Sequence, residues 1–416
     1  MKLLKQSSIE IMLAWRNVWK NKRRTILTLL TIMVGCAMII FFRSTQDGSY
    51  ETMIEDSIAA NTGHIQIHEK GYWENMSIDY AFIPSPAIMS YLRKNPAISA
   101  ISPRIHAAGL VSYENNTFGA LIQAVDPEQE KKVSNLHTTI QPGGRYILPD
   151  DGKHIIVGAT LAKNLNAKVG DTISVLSQGF DGSIAASNFT IVGIFKTRNP
   201  RYDQAMILMP LAQAVETFTM IDYLSSLVIK LKHTSDVEKV RDELRALPGT
   251  KRLEIMGWDE LTPELIQAIV MDKLFGYIFF FILFLITAFG VLNTVQMSVF
   301  ERTRELGIMM AIGTKPRQIV TMVLLESVFI SFLGVILGII VGSSISYYFY
   351  IHPFDFSDWE KEMEVFAQVT TVFPAKLYAN NVITTALFTF LFGVLFSIAP
   401  ARRASKLNPL KAIRQL

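Results

Sequence analysis

Half of the 416 residues are hydrophobic, with 26 Phe and 17 Met, and only 18% are charged; this excludes an ordinary water-soluble globular chain and points to a membrane protein. The net charge of +4 comes from basic clusters beside apolar runs, so it argues for membrane topology and against nucleic acid as a partner. A single cysteine, Cys36, leaves no intramolecular disulfide to hold any part of the chain.

Residues 1–24 predict a cytoplasmic amphipathic helix, with Lys2, Lys5, Arg16, Lys20, Lys22, Arg23 and Arg24 against the acid Glu10. An apolar run from Thr25 to Phe42 follows, near the roughly 20 residues that cross a bilayer. It outruns a signal-peptide core and leads into FFRSTQDG without a small-residue cleavage site, so the first span is expected at 25–47 and to remain as an anchor. Arg43 stands at its outer end, where snorkelling to headgroups is the ordinary expectation.

Residues 48–262 predict a large extracytoplasmic α+β domain, long enough for its own core. Its strand candidates are 64–68, 107–113, 117–125, 154–158, 171–177, 188–195, 204–209 and 224–231; its helix candidates are 86–94, 159–166, 210–218 and 235–247, the last with Ser235 as cap. Their order suggests two lobes, one from about 50 to 125 resuming near 220, the other inserted at about 126–219. His64 and His68 lie about 13 Å apart along one strand, too far to share a metal, and packing is the simpler role. No hydrolase motif accompanies the domain's Ser, His and Asp residues.

Residues 263–300 predict a stalk and second span in one helix, with Pro263 in its first turn. Residues 301–316 form a cytoplasmic connection, 317–349 the third span, 350–380 an extracytoplasmic loop, 381–400 the fourth span and 401–416 a cytoplasmic tail. The loop carries Asp355, Asp358, Glu360, Glu362 and Glu364 against Lys361 and Lys376, and the tail carries Arg402, Arg403, Lys406, Lys411 and Arg414. Positive flanks stay inside, which puts both termini and 301–316 in the cytoplasm. Within the spans, Glu326 is expected to pair with the basic inner flank, and Asn293, Thr294 and Gln296 are candidates for bonds between helices.

The stretch ERTRELGIMMAIGTKPRQI, 301–319, sets charge between two of the most apolar runs. Leu306, Met309, Met310 and Ile312 fall opposite Arg302, Arg304 and Glu305, as in a short amphipathic helix whose first turn Glu301 and Glu305 stabilise through the dipole. Gly313 is placed to end it and Pro316 to begin the next helix. On physics alone two readings stay open, a docking helix and an interfacial hairpin that only keeps positive charge inside. GIMMAIGTK lacks the spacing of a phosphate-cradling loop, so no nucleotide is expected on this chain.

RTRELGIMMAIGTKPRQIVTMVLLES resembles the signature of FtsX-type ABC transporter permeases, the MacB and LolC/LolE group. LAWRNVWKNKRRTILTLLTIMVG, VGATLAKNLNAKVGDTISV with FTIVGIFKT, and PARRASKLNPLKAIR agree with it, and GHIQIHEKGYWENMSIDYAF is similar to the start of the external domain in the LolE-like branch. The resemblance implies four transmembrane helices, a MacB-like periplasmic core and dimerisation with a second permease, identical or related. It makes 301–313 a coupling helix, with Glu301, Arg302, Arg304 and Glu305 contacting a cytoplasmic LolD-like ATPase, which holds ATP and Mg, and Leu306, Met309 and Ile312 packing inward. The ATPase is expected on a separate chain, and this chain is expected to be a non-catalytic subunit in the bacterial inner membrane. In the lipoprotein-release branch, acyl chains are held between the first two spans. The matching residues are Met33, Met38, Ile40, Phe41, Phe42, Leu274, Tyr277, Ile278 and Phe281, for each of which ordinary lipid-facing or packing apolarity is the competing reading. The 178–187 connection is shorter than the Pro-containing hairpin that recruits a LolA-like periplasmic carrier in LolC-type subunits. That departure favours a LolE-like role or another export substrate. The expected function is lipoprotein release toward the outer membrane; MacB-like export of peptides or hydrophobic small molecules, and FtsX-like signalling to a cell-wall hydrolase, are the alternatives.

Overall fold

The chain packs as two compact units, a helical unit from residues 2–52, 268–355 and 372–408 and an α+β unit from residues 53–267. The structure, a computed structural model, describes residues 2–197, 199–355 and 372–408, without the side chains of 2–10. The expected side-chain roles of Lys2, Lys5 and Glu10, the loop charges Asp358, Glu360, Lys361, Glu362 and Glu364, and the tail's Lys411 and Arg414 therefore lie outside the described residues.

The chain opens with α1 (Lys2–Lys20) and α2 (Lys22–Ser57), which ends in a π-helical turn, Ile58–Thr62. The α+β unit then runs β1 (Ile65–Glu69), α3 (Tyr72–Asn75), α4 (Pro86–Lys94), β2 (Ile98–Tyr113), β3 (Asn116–Val125), α5 (Pro127–Val133), β4 (His154–Gly158), α6 (Ala159–Leu165), β5 (Thr172–Gln178), β6 (Ile184–Phe195), α7 (Pro200–Ala205), β7 (Met206–Pro210), α8 (Leu211–Phe218), β8 (Ser226–Leu231), α9 (Val237–Arg245), β9 (Leu253–Gly257) and α10 (Trp258–Leu261). After it come α11 (Pro263–Glu301), α12 (Thr303–Ala311), α13 (Pro316–Ile351), a small β10–β11 pair (Phe354–Asp355, Val372–Phe373) and α14 (Ala379–Ala404).

Three helices of the α+β unit, α4, α5 and α7, start where a side chain satisfies orphan backbone donors. Ser85 Oγ accepts from Ile88 N at 3.3 Å, Asp126 Oδ1 from Glu128 N and Gln129 N at 3.0 and 3.1 Å, and Asn199 Oδ1 from Arg201 N at 3.0 Å, each with proline following. Ser235 is not a cap: it lies in a 3-10 turn, Thr234–Asp236, and α9 starts after Asp236 without a side-chain cap.

A nine-stranded sheet runs through the α+β unit, in the order β3-β7-β4-β6-β5-β2-β8-β1-β9, and a further β2–β3 pairing closes its first part on itself. The segment β9-β1-β8-β2, with α4 and α9, has the order of a split βαβ, ferredoxin-like lobe. Its core holds Ile65, Ile67, Ile88, Leu227, Ile229 and Leu244. The closed part encloses a second core that includes Ile105, Ile122, Val157, Phe189, Ile191 and Ile207. The division between lobes differs from the expected one near 126. β2 pairs with β8 over Ile98–Arg104 and with β3 over Arg104–Tyr113, so the second half of β2 and all of β3 belong to the closed part. One long strand serves both ladders, which is why the break falls at Arg104.

In the helical unit, α2, α11, α13 and α14 are each long and apolar enough to cross a membrane. Glycines let them approach. A Cβ on Gly334, Gly338 or Gly342 of α13 would stand 2.7, 2.6 or 2.9 Å from Ile32 Cβ, Cys36 Cβ or Ala37 Cα of α2. Ile32, Cys36, Ile40, Val291, Val295, Ile330 and Val335 fill the seam. α1 lies beside this bundle with Ala14 and Val18 buried and Trp15 edge-on to Phe329 of α13, ring centres 5.4 Å apart.

Candidate functional site

α12 is a nine-residue helix between two far longer ones, and its ends are set by backbone chemistry. Gly313 takes φ of 105°, a left-handed turn suited to glycine, and Pro316 opens α13. Leu306 is buried, and Met309 and Met310 pack beside it on the core that holds Val18, Ile319, Met322 and Val323. Ile312 departs from the expected packing role: it is 82% exposed, because it lies at the turn, past the last residue of the helix.

The charged residues divide in the same way. The Arg302 side chain is only 13% exposed and donates from Nη1 to Glu326 Oε1 of α13 at 2.8 Å and from Nε to Glu305 Oε2 at 3.2 Å. Burial alone would lower the Arg302 guanidinium, but the Glu326 carboxylate, with Glu305, more than offsets this and holds it above its ordinary value. Arg302 is thus a strut rather than an outward contact. Glu301 ends α11 instead of opening α12; it accepts from Arg24 Nη1 at 3.2 Å and Asn21 Nδ2 at 3.4 Å. Glu305 bonds Lys20, which together with Arg302 holds its carboxyl below the usual range. Among the described residues, the exposed ones left here without an ion pair form a stripe of Arg304, Ile308 and Ala311 on α12, continued by Ile312 in the turn after it. Ile308 and Ala311 carry the i, i+4, i+7 spacing from Arg304, a signal present in the sequence but overshadowed by the charges of 301–305.

The residues expected to hold acyl chains separate into two groups. Met38, Phe42, Leu274, Tyr277, Ile278 and Phe281 are exposed, and Phe42 meets Phe279 of α11 edge-on with ring centres 5.4 Å apart, so α2 and α11 share one apolar surface there. Ile40 is buried against Gly342, and Phe41 packs on Phe349 at 5.4 Å, so both turn to α13. Met33 is half-buried, with its carbonyl against Gly338.

At the same end of these helices, one residue past Phe42, polar bonds replace the expected snorkelling of Arg43. Its guanidinium donates to Asn381 Oδ1 at 2.8 Å and Thr384 Oγ1 at 2.9 Å, and lies over the Phe280 ring. Tyr50 donates to Asp272 at 2.6 Å, Glu51 binds Lys376 and Tyr378, and Asp47 binds Asn381. Thr294 Oγ1 donates to Gly290 O of its own helix at 2.9 Å, and Asn293 is exposed.

In the α+β unit, His64 contacts Thr234 at 3.3 Å, and buried His68 contacts Gln66 at 2.8 Å and stacks on Tyr72. Both are parts of a packed lobe.

Comparison with known proteins identifies two regions. Residues 25–247 match the MacB-like periplasmic core domain and residues 277–409 the FtsX-like permease C-terminal region. A macrolide export ATP-binding/permease protein MacB from Neisseria meningitidis is 25% identical over 413 residues, 96% of this chain and 59% of that protein. The Campylobacter jejuni protein of the same name is 26% identical over 427 residues, 99% of this chain and 62% of that protein. The chain thus spans about three-fifths of the length of these curated relatives. Among solved structures, the periplasmic region of MacB from Actinobacillus actinomycetemcomitans is similar at 16% identity and a TM-score of 0.36, covering 51% of this chain and 97% of that one. The extracellular domain of the transporter YknZ gives 12% identity and a TM-score of 0.34, covering 47% and 100%.

Proposed function

The chain belongs to the family of ABC transporter permeases built from a MacB-like periplasmic core domain and an FtsX-like permease region, and from that premise we propose that it transmits ATP-driven motion rather than forming a central channel. α12 is the contact for a cytoplasmic ABC ATPase, which supplies ATP and Mg chemistry. Arg304, Ile308 and Ile312 form the docking stripe. Lys20, Arg302 and Glu326 brace α12 against α1 and α13, so that a push on the stripe reaches the long helices instead of bending the turn. The protein sits in the bacterial inner membrane, with both termini cytoplasmic and the α+β unit in the periplasm, and it pairs with a second permease.

The cargo reading is lipoprotein release toward the outer membrane. The observation that carries it is the shared exposed surface of Met38, Phe42, Leu274, Tyr277 and Ile278, where soft and aromatic side chains suit acyl chains of varied length. Macrolide-type export is the second reading, favoured by the names of the relatives that align along almost the whole chain. Purification of the detergent-solubilised protein with its native partners, followed by mass spectrometry of proteins and lipids, separates the two. Recovery of an ATPase, a permease and acylated lipoprotein supports release. An ATPase with a periplasmic adaptor and no lipoprotein overturns release in favour of export. Arg304→Glu with Ile312→Asp is expected to abolish ATPase recovery, and undiminished recovery sinks the docking stripe.

A further inference from the structure

α1 presents three sectors around its axis. Ala14 and Val18 are buried against the bundle. Next to them Ile11, Met12, Trp15 and Trp19 are 47%, 55%, 43% and 40% exposed, with the two indoles edge-to-face at 6.0 Å. Beyond these stand Arg16 and Lys20, and the turn into α2 adds Lys22 and Arg23.

A water-soluble surface would not leave two tryptophans and two large aliphatics open beside arginines. A helix lying in the plane of a headgroup layer does, because its apolar sector enters the acyl boundary while its basic sector meets phosphate. Indole is also the side chain that favours this interface.

Among the described residues, the charge at this corner is not neutralised. The nearby carboxylates are committed: Glu301 to Arg24 and Glu305 to Lys20 and Arg302. Arg16, Lys22 and Arg23 have no acidic partner among the described residues. The end of α14, whose Ala401 and Ala404 share a core with Val18, adds exposed Arg402 and Arg403.

We infer that α1 is an anionic-lipid-binding helix, with phosphatidylglycerol-type headgroups held by Arg16, Lys22 and Arg23, and that bound lipid fixes the position of α12. The link is the Lys20–Glu305 ion pair, which ties α1 to the first turn of α12. A lipid that holds α1 in the headgroup plane holds that tie as well. The inference needs only that the long helices cross a bilayer; it is independent of the ATPase and of the cargo.

The full chain is reconstituted in nanodiscs of phosphatidylcholine and phosphatidylglycerol, extracted mildly, and its retained phospholipids are counted by native mass spectrometry. The expected result is several-fold enrichment of phosphatidylglycerol over the bulk mixture, on the scale of roughly fivefold for each basic side chain at an anionic surface. The triple substitution Arg16→Gln, Lys22→Gln, Arg23→Gln is expected to return the ratio to bulk without changing the thermal unfolding midpoint. Should that variant fold poorly, high salt applied to the unaltered protein removes the same enrichment by screening. Enrichment that survives both treatments, or its absence from the unaltered protein, overturns the inference. So does a variant that keeps its lipids and loses a bound ATPase, since the corner is then a protein-docking face.

Discussion

Arg104 occupies the point where β2 leaves β8 for β3, and its side chain joins what meets there. It donates to Glu130 Oε1 and Oε2 at 2.7 and 3.1 Å, and to Asn61 O and Oδ1, in the π-helical turn that ends α2, at 2.6 and 2.9 Å. Arg104 and Glu130 are each 1% exposed, so neither can turn to water if its partner is lost. Arg104→Gln or Glu130→Gln is expected to cost about 3–5 kcal/mol, whereas Arg104→Met with Glu130→Leu costs less than either, since no charge is stranded. Unfolding midpoints of the solubilised chain check the order. The same layer, through buried His68 and half-buried His106, sets an acid limit. Burial, with help from the positive charge of Arg104, lowers His68 and His106 to about 3. For both, the folded value lies below the unfolded one near 6.5. As pH falls through that window the unfolded chain takes up protons that the folded chain refuses, so stability drops by about 1.4 kcal/mol per pH unit for each histidine. Glu130, depressed by Arg104 despite its burial, acts in the same direction at the low end. A denaturation series from neutral pH downward should show this slope, and His106→Asn should remove one proton's worth; a flat profile would contradict the buried neutral state. None of this was legible in the sequence. An arginine beside Pro103 reads as a strand breaker or a surface residue, and nothing local names Glu130 as its partner. The Arg302–Glu326 pair was half legible, because a carboxylate inside an apolar run beside a basic flank needs a cation.

The elements show which sequence signals carry structural information and which were passed over. Continuous apolar runs and strict alternation marked the long helices and most strands, since both patterns follow from a single local period. α5 and α7 start at Asp126-Pro127 and Asn199-Pro200, cap signals that resemble loop punctuation when the helix behind them is short. β9 has only five residues, LEIMG, and becomes a strand through pairing with β1, a contact far away in sequence. The α13 glycines were visible as a repeat of one in four, yet the apolarity of the run hid their purpose. That purpose is testable. Gly338→Ala puts a methyl group 2.6 Å from Cys36 Cβ, closer than packed carbons come, so α13 and α2 must separate. The expected cost is about 1–3 kcal/mol, with partial recovery on adding Cys36→Gly. Gly119→Ala serves as control, because its Cβ meets nothing within 4 Å on the outer side of β3. Equal unfolding midpoints for the two alanine variants would refute close packing of the helices at Gly338.

For the whole molecule, the sequence supported a division into spans and an external domain more firmly than a division within that domain. Crossing a bilayer requires each segment to be apolar along its own length, so the information is local. A sheet that closes through β2–β3 and continues through β2–β8 depends on pairings that composition does not encode, and the expected lobe boundary near 126 had no such information behind it. Orientation rests on a different argument, the asymmetry of charge. The α1–α2 corner, the connection around α12 and the end of α14 are rich in Lys and Arg, and such flanks resist translocation. This predicts opposite sides for two exposed positions, Ile221 in the α+β unit at 68% and Ile312 after α12 at 82%. In a Cys36→Ala background, a cysteine at position 221 should react with a membrane-impermeant maleimide in intact spheroplasts, and one at 312 only in inverted vesicles. Both substitutions fall on open surface, where replacing isoleucine should change stability by no more than about 0.5 kcal/mol. Labelling of both positions from one side would invert or break the topology. The coupling role of α12 would fall with it, since a helix facing the periplasm cannot meet an ATPase supplied with cytoplasmic ATP.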